Sequence, residues 1–168
     1  LVLRTPSIGL TRGRWHDRER YLQSHWSRPP NLWVHGDSAS RDADGMRYVH
    51  GRSDDTLKIA GKRTGPSGIE ALLMGTGLLL DAAAIGTPDA IKGTAVVCVC
   101  VPRAGIDTAA AMKALSAAVV AGLGGAFRPA HVVFVADLPR TRNLKVMRRV
   151  VRSAWLGEEP GDLSTLIN

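Results

Sequence analysis

For most of this chain the sequence predicts an α+β fold, with helices packed on a small mixed sheet of about three to five strands. Two observations carry that prediction. From Asp42 onward, short strand-like runs are interleaved with helical ones in the order β-β-α-β-β-α-β-α. Hydrophobic residues make up 45% of the 168, which is enough for a real core.

The elements follow in chain order. Before Asp42 the apolar periodicity is weak, and three of the four tryptophans (Trp15, Trp26 and Trp33) lie among Arg, His and Pro. Such a segment packs on something else or closes the edge of a larger domain. Within it, residues 17–26 (DRERYLQSHW) predict a short helix with Asp17 at its start. NLWVHGD predicts a short strand ending at a Gly turn. DADG is a turn, MRYVHG a strand, SDD a second turn and TLKIAG a strand. GPSGIEALLMG predicts a helix with Pro66 in its first turn and Ser67 as a candidate cap. LLLDAAAIG is short and is followed by the breaker G-T-P, which favours a strand. GTAVVCVCVP and HVVFVADLP are strands on either side of an Ala-rich helix from Asp107 to Gly122. Leu144 to Leu156 predicts a basic helix ended by Gly157, with Val146, Met147, Val150, Val151, Ala154 and Trp155 on its apolar face.

Composition narrows the function. Lys plus Arg is 22 and Asp plus Glu is 15, a formal charge of +7, and Arg outnumbers Lys 17 to 5. Arg suits planar, bidentate contact with phosphate and carboxylate, so anionic partners are expected. No apolar run approaches the roughly 18–20 residues that span a bilayer. The opening LVLRTPSIGL lacks the pattern of a secretory leader and an initiator Met, so a fragment of a longer protein is expected. Cys98 and Cys100 are two apart in a strand and read as buried thiols, which fits a reducing, cytoplasmic setting. His16, His25, His35, His50 and His131 show no metal-ligand spacing, so no metal site is expected.

Several residues can carry chemistry. Asp37, after a strand and Gly36, can accept two hydroxyl hydrogen bonds from a ribose, although Gly-Asp is also an ordinary turn pair. In GRSDDTLKIAGKRTGP, Arg52 offers a fork of donors, and Asp54 and Asp55 suit a mobile hinge. Gly61 lets backbone approach a ligand, and Lys62 and Arg63 are placed on a loop within reach of phosphate. The bland alternative there is a hairpin with a basic rim. LPRTRNLKVMRRVVR holds six cations and no acid. It reads as a solvated face, as a nucleic-acid patch, or, at Lys145, as a cation aimed into a cleft to hold phosphoryl or carboxylate oxygens. Aromatic residues are 5% of the chain and none interleaves with these cations, which argues against stacking on single strands.

Together these motifs resemble the C-terminal part of the acyl-adenylate-forming superfamily, most nearly its acetyl-CoA synthetase branch. GRSDDTLKIAGKRTGPSGIE is similar to that family's hinge-and-loop signature, LPRTRNLKVMRR to its lysine motif and GEEPGDLSTL to the acetyl-CoA synthetase tail. The resemblance implies residues 1–53 as the end of a large N-terminal adenylate-binding domain and 54–168 as a C-terminal mobile lid. It implies Asp37 and Arg52 on the adenylate ribose, Arg63 on nucleotide phosphate, Asp54 as the hinge, and Ala60 and Gly61 along the path of CoA. It implies Lys145 as the catalytic lysine of adenylation and a target of reversible acylation by a protein acetyltransferase and deacetylase. The implied reaction joins a small carboxylate such as acetate to CoA, using ATP with Mg2+ and releasing AMP and pyrophosphate. The family's ATP loop, adenine motif and acyl pocket lie outside this sequence, so the chain alone is expected to be inactive. The other readings are a non-catalytic basic domain that binds nucleic acid and a lid-like docking or acylation target without catalysis. Gly68, Thr76 and Asn143-Leu144 depart from the family pattern of Glu, His and Ser-Gly, and the contact for the CoA 3′-phosphate is left unassigned.

Overall fold

The computed structural model describes residues 1–5, 7–27, 32–53 and 55–168. The chain divides into two units, Leu1–Asp55 and Thr56–Asn168.

In the first unit, β1 (Val2–Leu3) pairs antiparallel with β2 (Trp33–Val34). Helix α1 (Arg18–His25) begins where expected, with the Asp17 carboxylate accepting from the Arg20 N–H, and it buries Tyr21. Strands β3 (Asp37–Arg41) and β4 (Arg47–Arg52) form an antiparallel hairpin. The Asp42 carboxylate ties the connecting turn by accepting from the Met46 N–H and the Tyr48 hydroxyl. Strand β3 was not foreseen, because DSASR has no apolar alternation and its residues are half-buried or exposed. Asp37 therefore opens a strand instead of sitting in a turn.

The second unit starts with the antiparallel hairpin of β5 (Leu57–Ile59) and β6 (Lys62–Thr64). Then come α2 (Pro66–Gly75), β7 (Leu79–Asp89), β8 (Gly93–Pro102) and α3 (Thr108–Leu123), followed by β9 (His131–Phe134) and α4 (Arg148–Leu156). The sheet runs β7-β8-β9, antiparallel between the first two strands and parallel between the last two. It is the small mixed sheet that the sequence predicts. One core packs Ile69 and Leu73 of α2 and Leu115 and Val119 of α3 onto Ala82, Ala84, Val96, Cys98 and Cys100. The opposite face packs Val151 of α4 and Leu138 onto Ala83, Ile85, Val97, Val99 and Val101. The alternation of β7 and β8 thus feeds two apolar layers, as period-two side chains require.

Four details differ from the sequence reading. Arg63 lies on strand β6 opposite Lys58, not on a loop, because the turn falls earlier at Ala60-Gly61. The N-cap of α2 is Gly65 and not Ser67, and it makes no side-chain cap bond. The G-T-P triplet does not end β7, since Pro88 still pairs with Thr94. Strand β7 is the sheet's edge, where a missing N–H is tolerated. Finally, α4 starts at Arg148, because Leu144 to Val146 belong to a hairpin. No helix among the described residues is long and apolar enough to cross a membrane.

Candidate functional site

In the first unit, cross-strand pairing sets Asp37 directly opposite Arg52. Asp37 Oδ1 lies 3.6 Å from Arg52 Nη1, and Oδ2 lies 3.0 Å from His35 Nδ1. Arg52 Nη1 also donates to the His35 carbonyl at 3.3 Å. Gly36 makes this possible. It has φ of 93°, and a Cβ there would lie 2.7 Å from the Arg52 guanidinium nitrogens. Ser53 closes the corner, donating from its N–H and hydroxyl to the Gly36 carbonyl. A cleft of about 270 Å³ opens beside it, lined by polar side chains including Gln23, Ser24, Ser27, Arg52 and Ser53. A half-buried carboxylate beside a guanidinium presents an acceptor and donors together, the set that a vicinal diol or a sugar phosphate needs. His35 was missed as part of this group. Its signal was there, since residues two apart on an extended segment share a face.

In the second unit, Ala60 and Gly61 form the two-residue turn of the β5-β6 hairpin, with φ of 48° and 79°. Positive φ at both positions matches the strand twist. Both residues are exposed, as is Arg63 on the adjoining strand. Asp54, the expected hinge, lies outside the described residues.

Lys145 sits on a hairpin of its own. The Leu144 N–H donates to the Thr141 carbonyl at 2.8 Å, and the Thr141 N–H donates to the Lys145 carbonyl at 2.9 Å. Leu144 has φ of 59°. This is a turn followed by a left-handed residue, a common three-residue hairpin loop. Thr141 Oγ1 accepts from the Lys145 N–H, and Arg140 bridges to Val146 across the stem. The segment Thr165–Ile167 pairs along the other side, through Arg142 N–H to Thr165 carbonyl and Ile167 N–H to Arg140 carbonyl. Lys145 is exposed, and among the described residues no acceptor or carboxylate engages its Nζ.

The neighbouring cations behave differently. Arg148 holds Glu70 with two bonds of 2.7 and 2.6 Å. Arg140 pairs with Asp81, with Asp137 Oδ1 3.8 Å away. Arg149 donates to the carbonyls of Pro160 and Asp162. Arg152 donates to the Gly86 carbonyl and to Glu158. Four of the six cations thus already meet internal acceptors. Among the described residues, no three His, Cys, Asp or Glu side chains are grouped so as to hold a metal ion.

Residues 68–145 match the family described as the AMP-binding enzyme C-terminal domain. The chain is 37% identical over 167 residues to acetyl-coenzyme A synthetase of Pyrobaculum arsenaticum, covering 99% of this chain and 25% of that protein. It is 36% identical over 161 residues to propionate–CoA ligase of Escherichia coli, covering 90% and 25%. A solved anthranilate CoA ligase in complex with anthranoyl-AMP superposes with a TM-score of 0.73 at 28% identity, covering 84% of this chain and 27% of that one. The chain spans about a quarter of the length of the curated relatives it matches and aligns with their C-terminal region.

Proposed function

We propose that the chain, whose residues 68–145 match the family of AMP-binding enzyme C-terminal domains, is the C-terminal part of an AMP-forming acetyl- or short-chain acyl-CoA synthetase. In that reading the whole enzyme joins a small carboxylate to CoA, converting ATP to AMP and pyrophosphate. Residues 1–53 complete the adenylate-binding domain and 54–168 form a lid that turns about Asp54. Asp37 and Arg52 hold the ribose, Arg63 meets phosphate, and the Ala60-Gly61 turn faces the thiol arm of CoA. Mg2+ enters only with ATP, on its phosphates. The setting is cytoplasmic.

Lys145 carries the chemistry. Bringing a carboxylate to the α-phosphate of ATP crowds anionic oxygens, and an ammonium aimed at them lowers the barrier as charge develops. The thiol must then approach the same carbonyl along another path, which a rotating lid provides. The same exposed amine suits acetylation by a protein acetyltransferase and reversal by a deacetylase, which would cancel its charge. The observation that supports this reading is the contrast within one basic segment: four arginines are tied to internal acceptors, while Lys145 stands at a hairpin tip with no partner among the described residues.

The test replaces the matching C-terminal quarter of the Pyrobaculum arsenaticum enzyme with this chain and measures the two half-reactions separately. Lys145→Ala should lower acyl-adenylate formation by about 10²–10³-fold, while thioester formation from preformed adenylate stays within about threefold of the unsubstituted fusion. Equal loss in both halves would overturn the assignment.

A further inference from the structure

The deepest structural support of the Lys145 hairpin comes from a residue far away in sequence. At the start of β7 the pairing with β8 slips: Leu79 faces Pro102, Asp81 faces Val101, and Leu80 is left over. That inserted residue reverses the parity of the strand. Leu79 fills the core under α2 and α3, while Asp81 falls on the opposite face with Ala83 and Ile85. There Asp81 Oδ2 accepts from Arg140 Nη2, and both side chains are about one-quarter exposed. The other terminal nitrogen of the same guanidinium, Nη1, donates to the Leu144 carbonyl at 3.2 Å. Leu144 is the left-handed residue of the loop, immediately before Lys145. A β-branch at Cβ is absent in Leu, but its side chain still disfavours this conformation by about 1–2 kcal/mol, so something must hold the peptide there.

We propose that the Asp81–Arg140 pair is a positioning device for Lys145: Asp81 fixes the guanidinium, and the guanidinium clamps the Leu144 carbonyl so that the lysine leaves the hairpin in one direction. This rests on the reading of Lys145 as the adenylation lysine. Arg140 itself touches no reacting atom in this account. Asp137 assists from the side, because its Oδ2 accepts from Asn168 Nδ2, and Asn168 Oδ1 in turn accepts from the Arg140 N–H. The arrangement explains why an acid stands in the otherwise apolar run LLLDAAAIG.

The experiment uses the fusion enzyme and, alongside it, this chain alone. Arg140→Lys keeps the charge for Asp81 but gives up the planar fork, and Asp81→Asn keeps the shape but gives up the charge. Arg140→Ala should cut the adenylation rate at least about tenfold, with the KM for carboxylate changed less than the rate and with thioester formation from preformed adenylate little affected. Arg140→Lys should recover part of the loss. In the chain alone, the amide protons of Leu144 and Lys145 should exchange faster in both Arg140 variants and in Asp81→Asn, while those of β8 keep their protection. Loss of both half-reactions in parallel, or unchanged exchange at Leu144 and Lys145, would overturn the proposal. If Lys145→Ala adenylates normally, the underlying reading fails instead, and the exchange measurement still judges the clamp.

Discussion

At the scale of single residues, the loop that bears Lys145 is defined by a conformation its sequence disguises. Leu144 is left-handed and 65% exposed. A left-handed residue other than Gly costs about 1–2 kcal/mol, against an entropic cost of roughly 0.5–1 kcal/mol for placing Gly there. Leu144→Gly should therefore raise stability by about 0.5–1 kcal/mol, read as a higher urea midpoint at unchanged slope. A lower midpoint would mean that the Leu side chain contributes more than its exposure suggests. The exposure of Lys145 agrees with one of the three readings its basic segment allows, and its role in adenylation rests on the family resemblance. Asp37 was a ribose candidate from its residues and Arg52 only through the resemblance, and neither their pairing nor the part of His35 could be read. Pairing depends on strand β3, which has no hydrophobic pattern to announce it.

At the scale of elements, one carboxylate joins three of them. Glu70 of α2 accepts from both ends of the Arg148 guanidinium at the start of α4 and from the Ala84 N–H of β7 at 3.0 Å. Glu70→Ala removes two charge-assisted bonds to Arg148 and the acceptor of the Ala84 strand N–H, which should cost about 2 kcal/mol in unfolding free energy. Arg152→Ala should cost less than about 1 kcal/mol, since its partner Glu158 is more than half exposed. Equal costs in denaturant titrations would contradict the difference in burial. The strands β7 and β8 and helix α3 were legible because long apolar periods mark them. The late start of α4 was not, because the apolar spacing of Val146 and Met147 continues the helical period while the backbone is already held as a hairpin stem. The Glu70–Arg148 link spans 78 positions, a separation at which a single sequence carries no pairing signal.

At the scale of the whole molecule, both thiols are locked in the core beneath α2 and α3. Burial pushes Cys100 up to about 12 and Cys98 higher still, with the neighbouring Cys100 and Glu70 adding to the latter. An unfolded thiol titrates near 8.5, so from there upward the unfolded chain releases protons that the folded chain keeps. Stability should be fully present below about pH 8.5 and fall as pH rises toward 12, by at most about 1.4 kcal/mol per pH unit for each thiol. Urea titrations between pH 8 and 10 test this, and replacing both cysteines by Ala should flatten the fall. A pH-independent midpoint would contradict it. The same burial makes a chemical test of the central claim selective. In a fusion enzyme whose partner has no exposed cysteine, Lys145→Cys places one reactive thiol at the hairpin tip while Cys98 and Cys100 stay protected. Alkylation with bromoethylamine then restores an ammonium at that point. Adenylation, lost in Lys145→Cys, should return by at least about tenfold on alkylation with thioester formation unmoved; adenylation at the unsubstituted rate before any alkylation would show that no ammonium is needed there.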